Sequence, residues 1–198
     1  MLSVQPYSVS SVRPSVVAFR ANSDKLSNDN SQSYAKPFKT HAGLKTGVAF
    51  GVVEALCGFI SGGLLYALVA ILASAGCGAL VDNQINKKHK SLAVDIDKYG
   101  KKEALKMNDK AELTRNENIY YCSNTGLKTG ALLGAVVQPL LGMARTKSLP
   151  SVAGAAFSVL TGIAGGALLG GITDYFSNNG AKEHADVGAA KQKIMAGE

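Results

Sequence analysis

The chain has 198 residues, a formal net charge of +7, 46% hydrophobic and 18% charged residues, 22 glycines, three cysteines and no tryptophan. This suits one domain or two small ones without a large aromatic core. Three cysteines without metal-ligand spacing argue against a disulfide framework or a zinc site, and basic residues mixed with acids, without aromatic–basic alternation, argue against a nucleic-acid partner.

Residues 1–41 are rich in Ser and Asn, contain Pro6, Pro14 and Pro37, and show no helical period. They read as a disordered arm. Its first 23 residues carry Arg13, Arg20 and six serines but no acid, the composition of an organellar targeting segment or a bacterial N-terminal arm. A first hydrophobic hairpin follows over 42–82, with apolar segments at about 44–60 and 64–81 and a Ser61-Gly62-Gly63 turn; only Glu54 is charged within 46–81. Residues 83–124 form a charged linker. Leu92, Ile96 and Tyr99 share a helix face there, and Asp97–Lys101 is a favourable i, i+4 pair, so the linker reads as amphipathic helix interrupted at Gly100. A second hydrophobic hairpin spans 125–173, with segments at about 127–144 and 151–173 around a polar turn that carries Arg145 and Lys147. A polar tail covers 174–198.

The pentapeptide Gly-Leu-Lys-Thr-Gly occurs at 43–47 and again at 126–130, and at an offset of 83 seven of the eleven positions in 43–53 match. An internal repeat decides architecture before any other feature. The second arms align at an offset of 92, which pairs Gly78 with Gly170 and Asp82 with Asp174, or at 88, which pairs Gly78 with Gly166. Sequence matching leaves both open. The expected fold class is therefore all-α: four short glycine-zipper helices forming two duplicated transmembrane hairpins, with a disordered arm and an amphipathic helical linker.

Glycine spacing points to the membrane. Gly43, Gly47 and Gly51 step by four, as do Gly126, Gly130 and Gly134; Gly154, Gly162, Gly166 and Gly170 extend the same step through the last segment. A step of four places small residues on one helix face, where another backbone can approach closely. In water each interior glycine costs a helix roughly 0.8–1 kcal/mol relative to alanine, so a dozen cost on the order of 10 kcal/mol, comparable to the stability of a whole domain. In lipid the helix is enforced and that penalty largely disappears. Two segments are shorter than the roughly 20 residues that span a bilayer upright, so re-entrant hairpins and a conditionally inserting soluble form stand as alternatives.

With four spans, every Lys and Arg except Arg145 and Lys147 falls on one side. The positive-inside rule then puts both termini on the cytoplasmic side, or the matrix or stromal side of an organelle. Lys45, Lys87, Lys88, Lys90 and Lys128 stand at segment ends, where they reach lipid headgroups. Tyr120, Tyr121, Tyr175 and Phe176 suit an interfacial aromatic belt. Glu54 is a candidate intramembrane polar site; its counterpart in the second repeat is Val137, and Gln138, between Val137 and Pro139, is its candidate partner. The bland reading of Glu54 is a hydrogen-bonded or protonated side chain that serves packing.

No Walker loop, dinucleotide fingerprint, catalytic triad or cofactor motif is present, so neither enzyme activity nor a cofactor is expected. The expected partners are the lipid bilayer and a second copy of the chain or another membrane protein, joined through the glycine faces. Four glycine-rich spans behind a basic arm, over 42–173, resemble in arrangement the mitochondrial and plastid family of protein-import channel subunits. The Arg-x-x-x-Asp element of that family is missing, because Arg115 is followed four residues on by Ile119. The functions left are a structural or interaction membrane protein, a pore or translocation subunit as the resemblance implies, and a secreted membrane-inserting effector or toxin.

Overall fold

A computed structural model describes residues 37–196. The arm expected over 1–41, with the targeting composition read into it, lies outside the described residues except for 37–41. The chain is mostly helical: α1 (Ala42–Tyr99), α2 (Lys101–Met107), β1 (Ala111–Leu113), β2 (Ile119–Tyr121), α3 (Thr125–Thr146) and α4 (Val152–Ala196). α1, α3 and α4 as far as Gly188 are long and apolar enough to cross a membrane. Together they give a polytopic integral membrane protein with packed helices.

α1 is two helices joined at Gly63, whose φ of 71° and ψ of −172° belong to a region open essentially to glycine alone. The expected Ser-Gly-Gly turn thus falls at the break. The limbs, 42–62 and 64–99, return on each other antiparallel, and their backbones touch. A Cβ on Gly43 would strike the Gly78 carbonyl, one on Gly47 the Ser74 carbonyl, and one on Gly51 would lie 2.7 Å from Ile71 Cα. α3 and α4 meet the same way, with Gly126 against Gly170, Gly130 against Gly166 and Gly134 against Gly162.

A carboxylate closes each pair at the same end. The first N–H groups of a helix lack partners within it and carry the positive end of its dipole. In α1, Gly43 N donates to Asp82 Oδ1 (2.7 Å) and Leu44 N to Oδ2 (2.8 Å). In α3, Gly126 N donates to Asp174 Oδ1 (2.9 Å) and Leu127 N to Oδ2 (2.8 Å). One turn further along each partner helix, an asparagine clasps the incoming strand. Asn86 accepts from Thr40 N and donates to Thr40 O, while Asn178 does the same for Ser123. These contacts follow the offset of 92 rather than 88.

Large aliphatic residues line the outside of this assembly. Ile60 is 94% exposed, Leu72 71% and Leu132 72%, whereas the largest side chains with essentially no exposure are Ile85, Val81, Thr173 and Ser177. Tyr66, Ala70 and Leu141 join the two pairs, with Ala73 and Val137 packed around them.

Two expectations are corrected. The helices are not short: α1 runs through 82–99 and α4 through 174–196 without a break, so the linker and tail begin as helical extensions of the apolar segments. The fold is also not purely α. β1 and β2 pair antiparallel, Ala111 opposite Tyr121 and Leu113 opposite Ile119, around a tight turn at Thr114–Asn118. Tyr121 turns inward onto Leu92, Ile96 and Ala104 to form a small core that stands beyond the apolar segments. That removes it from the expected aromatic belt. Tyr120 donates to Glu112 (2.7 Å), and only Tyr175 and Phe176 of the four face outward.

Candidate intramembrane polar site

Glu54 projects from the first limb of α1, one turn beyond Gly51, towards the second limb and α3. Ser74 Oγ donates to its Oε2 over 3.5 Å, and the side chains of Tyr66 and Gln138 approach the same carboxylate. Its Oε1 is buried and has no hydrogen-bond partner. Small residues make the room. A Cβ on Gly58 would collide with the Tyr66 ring, and one on Gly162 would lie 2.7 Å from Gln138 Cβ. Pro139, next in α3, removes the helix hydrogen bond that would reach the carbonyl of Ala135.

These groups line a cavity of about 260 Å³ between the two helix pairs. Glu54, Ser74, Gln138 and Thr161 supply its polar atoms, and Phe50, Val53, Leu141 and Leu169 its apolar wall. The structure therefore brings Glu54 together with Gln138, the neighbour of its repeat counterpart Val137. No lysine, arginine or histidine lines the cavity, and among the described residues no cluster of His, Cys, Asp and Glu is arranged for a metal.

Of the glycines expected at helix contacts, Gly43, Gly47, Gly51, Gly126, Gly130, Gly134, Gly162, Gly166 and Gly170 lie where backbones meet. Gly154 does not; it faces Ser151 and Pro150 of its own N-terminal turn. Every contacting face is filled by another helix of the same chain. Lys45 and Lys128 are exposed in the first turns of α1 and α3, and Lys87, Lys88 and Lys90 are exposed past the second apolar limb. Among the described residues the one ion pair joins Lys106 and Glu103, so these five ammonium groups are free.

Sequence reading missed the Asp82/Asn86 and Asp174/Asn178 clasps. The signal was present as Gly-x-x-x-Asp-x-x-x-Asn at 78–86 and 170–178, in phase with the small-residue stripe. It also missed a knot at the charged end, where Phe38 packs edge-on to His89 (5.2 Å) and tilted to His184 (5.7 Å), with Tyr121 on the other side of His89 (5.7 Å). Burial, and secondarily the charge of His184, push the His89 imidazole down to about 4. Tyr120 is pushed up to about 12, chiefly by its bond to Glu112. Burial, the largest of several causes, raises the Cys122 thiol above its ordinary value. Compared with protein-family models, with curated proteins and with solved structures, the chain matches none.

Proposed function

We propose that the chain is a structural membrane protein made of two duplicated glycine-packed hairpins, which hold a charged helical head at one face of the bilayer for interaction with partners. The observation that carries this reading is the inverted distribution of side-chain size. Glycine, alanine and serine fill the interior, and leucine, isoleucine and valine face outward over the apolar length of all four segments. In water such a surface is an aggregation hazard, whereas in lipid it is solvated and close backbone packing holds the helices. The shared geometry of the Asp82 and Asp174 clasps supports a duplication of one hairpin.

Because the glycine faces are occupied within the chain, association with a second copy or another membrane protein uses the outer aliphatic surface or the head. The head, with residues 83–124 and 174–196, lies on the cytoplasmic, matrix or stromal side, and its lysines meet anionic headgroups. Carbonate extraction tests the reading: retention in the membrane pellet supports it, and release to the supernatant sinks it.

Glu54 favours a second reading, a pore or translocation subunit, because an intramembrane carboxylate with an unpartnered oxygen is a natural station for a proton or cation. On that reading purified protein in liposomes conducts, and Glu54→Gln abolishes the flux without changing assembly.

A further inference from the structure

Glu54, in its cavity, differs from the acids and amides that clasp each helix pair. Asp82 and Asp174 each accept two backbone N–H groups, while Asn86 and Asn178 satisfy both amide ends. Glu54 has one long bond to Ser74, the side chains of Gln138 and Tyr66 beside the same carboxylate, and a buried oxygen, Oε1, without a bond. A carboxylate among apolar walls is costly unless something neutralises it, and the cavity lining offers no cationic side chain. Neutralisation therefore comes from a bound proton or from a cation supplied from outside the chain.

Size, lining and the position of the mouth narrow the choice. About 260 Å³ is far more than a proton needs. A hard metal ion needs six or more oxygens converging on one point, and the side chains of Glu54, Ser74, Gln138 and Thr161 supply fewer. Val53 and Thr161 line the cavity and are themselves exposed, so it opens sideways between the first limb of α1 and α4. Phe50 flanks that mouth, its ring edge 3.9 Å from where a Cβ on Gly165 would be. On the membrane reading above, on which this inference rests, the opening faces acyl chains rather than water.

We propose that this cavity binds a lipophilic organic ammonium ion, which enters from the bilayer, pairs with the Glu54 carboxylate and lays its hydrocarbon part against Phe50, Val53, Leu141 and Leu169. Gln138 and Thr161 orient the ammonium by accepting its remaining hydrogen bonds.

The test uses full-length protein in nanodiscs of zwitterionic phosphatidylcholine, which has no net headgroup charge to compete. The probe is 4-fluorophenethylammonium followed by fluorine NMR, with 4-fluorophenethyl alcohol as its uncharged counterpart. The expected result is saturable binding of the ammonium, weakened at least about tenfold in Glu54→Gln, as expected when a buried charge loses its partner. The alcohol binds correspondingly more weakly to the native chain. Gly165→Leu, which fills the mouth and leaves the carboxylate in place, also abolishes binding. Unchanged labelling of Cys122 in both variants shows that the head is intact.

Equal binding of the alcohol and the ammonium, or undiminished binding by Glu54→Gln, would overturn the proposal and leave an apolar slot with a protonated acid. Absence of saturable binding to protein seated in nanodiscs overturns it while the membrane reading stands. Protein that carbonate releases from membranes overturns both.

Discussion

At the scale of single residues, polar side chains in this chain act by closing what glycine packing leaves open. Where helices touch backbone to backbone, no side chain from the glycine face can cap a helix start, and indeed neither His41 nor Asn124 caps its own helix by a side-chain bond. The first N–H of each helix bonds the hydroxyl two residues back, Thr40 or Ser123, and the next two N–H groups are taken from across the pair by Asp82 or Asp174. Replacing either by alanine strands two N–H groups and removes a charge from the positive end of a helix dipole, a loss of about 1–2 kcal/mol. Denaturant unfolding in detergent should show that loss for Asp174→Ala, with a smaller one for Asp174→Asn. Native-like unfolding of both variants would mean that the clasp is incidental.

His89 carries a pH prediction. Its folded-state value, near 4, lies below the 6.5 of a free imidazole, so the unfolded chain binds the extra proton first as pH falls. The neutral, buried form therefore costs nothing above about pH 6.5, and stability drains away between 6.5 and 4 by up to about 3 kcal/mol. Thermal unfolding across that range should show the decline, and His89→Leu should flatten it relative to the native chain. An unchanged slope in the variant would place the acid sensitivity elsewhere.

At the scale of elements, the legible part of the fold was the part written in glycine. A step of four from Gly43 to Gly51 and from Gly126 to Gly134 fixes a helix face whatever the surroundings, and the Ser-Gly-Gly run marks the only backbone geometry that needs glycine between the limbs. Element ends were less legible. Residues 82–99 and 174–196 are charged, which reads as a boundary, yet charge changes the solvent of a helix and not its hydrogen bonding, so α1 and α4 continue through both points. The β ribbon escaped because Ala111–Leu113 and Ile119–Tyr121 are three residues each, too short for an alternating pattern to show. Glu54 and Gln138 were legible as isolated polar residues in apolar runs, whereas the contribution of Tyr66 and Ser74 depends on a fold-back that only three dimensions display.

The glycines also separate into those that matter and one that does not. Gly130→Ile places a branched side chain against the Gly166 carbonyl and has to push α3 and α4 apart. It should destabilise the chain severely, by several kcal/mol. Gly154→Ala meets only Ser151 and Pro150 at 3.3 Å and 3.6 Å and should be neutral or slightly stabilising. Unfolding of the two variants side by side in one detergent checks the contrast; equal effects would remove the packing role assigned to the glycine stripe.

At the scale of the whole molecule, the account rests on which surfaces are wet. In the proposed two-hairpin arrangement, the outer faces of all four apolar segments belong to lipid, the head with Cys122 to one aqueous side, and the Arg145–Lys147 turn to the other. Arg145 Nε donates to Ser61 Oγ (2.5 Å), which ties the two turns together at that far end. The most direct measurement is labelling in sealed membranes with a membrane-impermeant maleimide, directed at Cys122 and at a cysteine introduced by Ser148→Cys. The two-hairpin account predicts that one site reacts only from outside and the other only after the vesicles are opened. Reaction of both from the same side would contradict it, because the hairpins would then dip into the bilayer without crossing it.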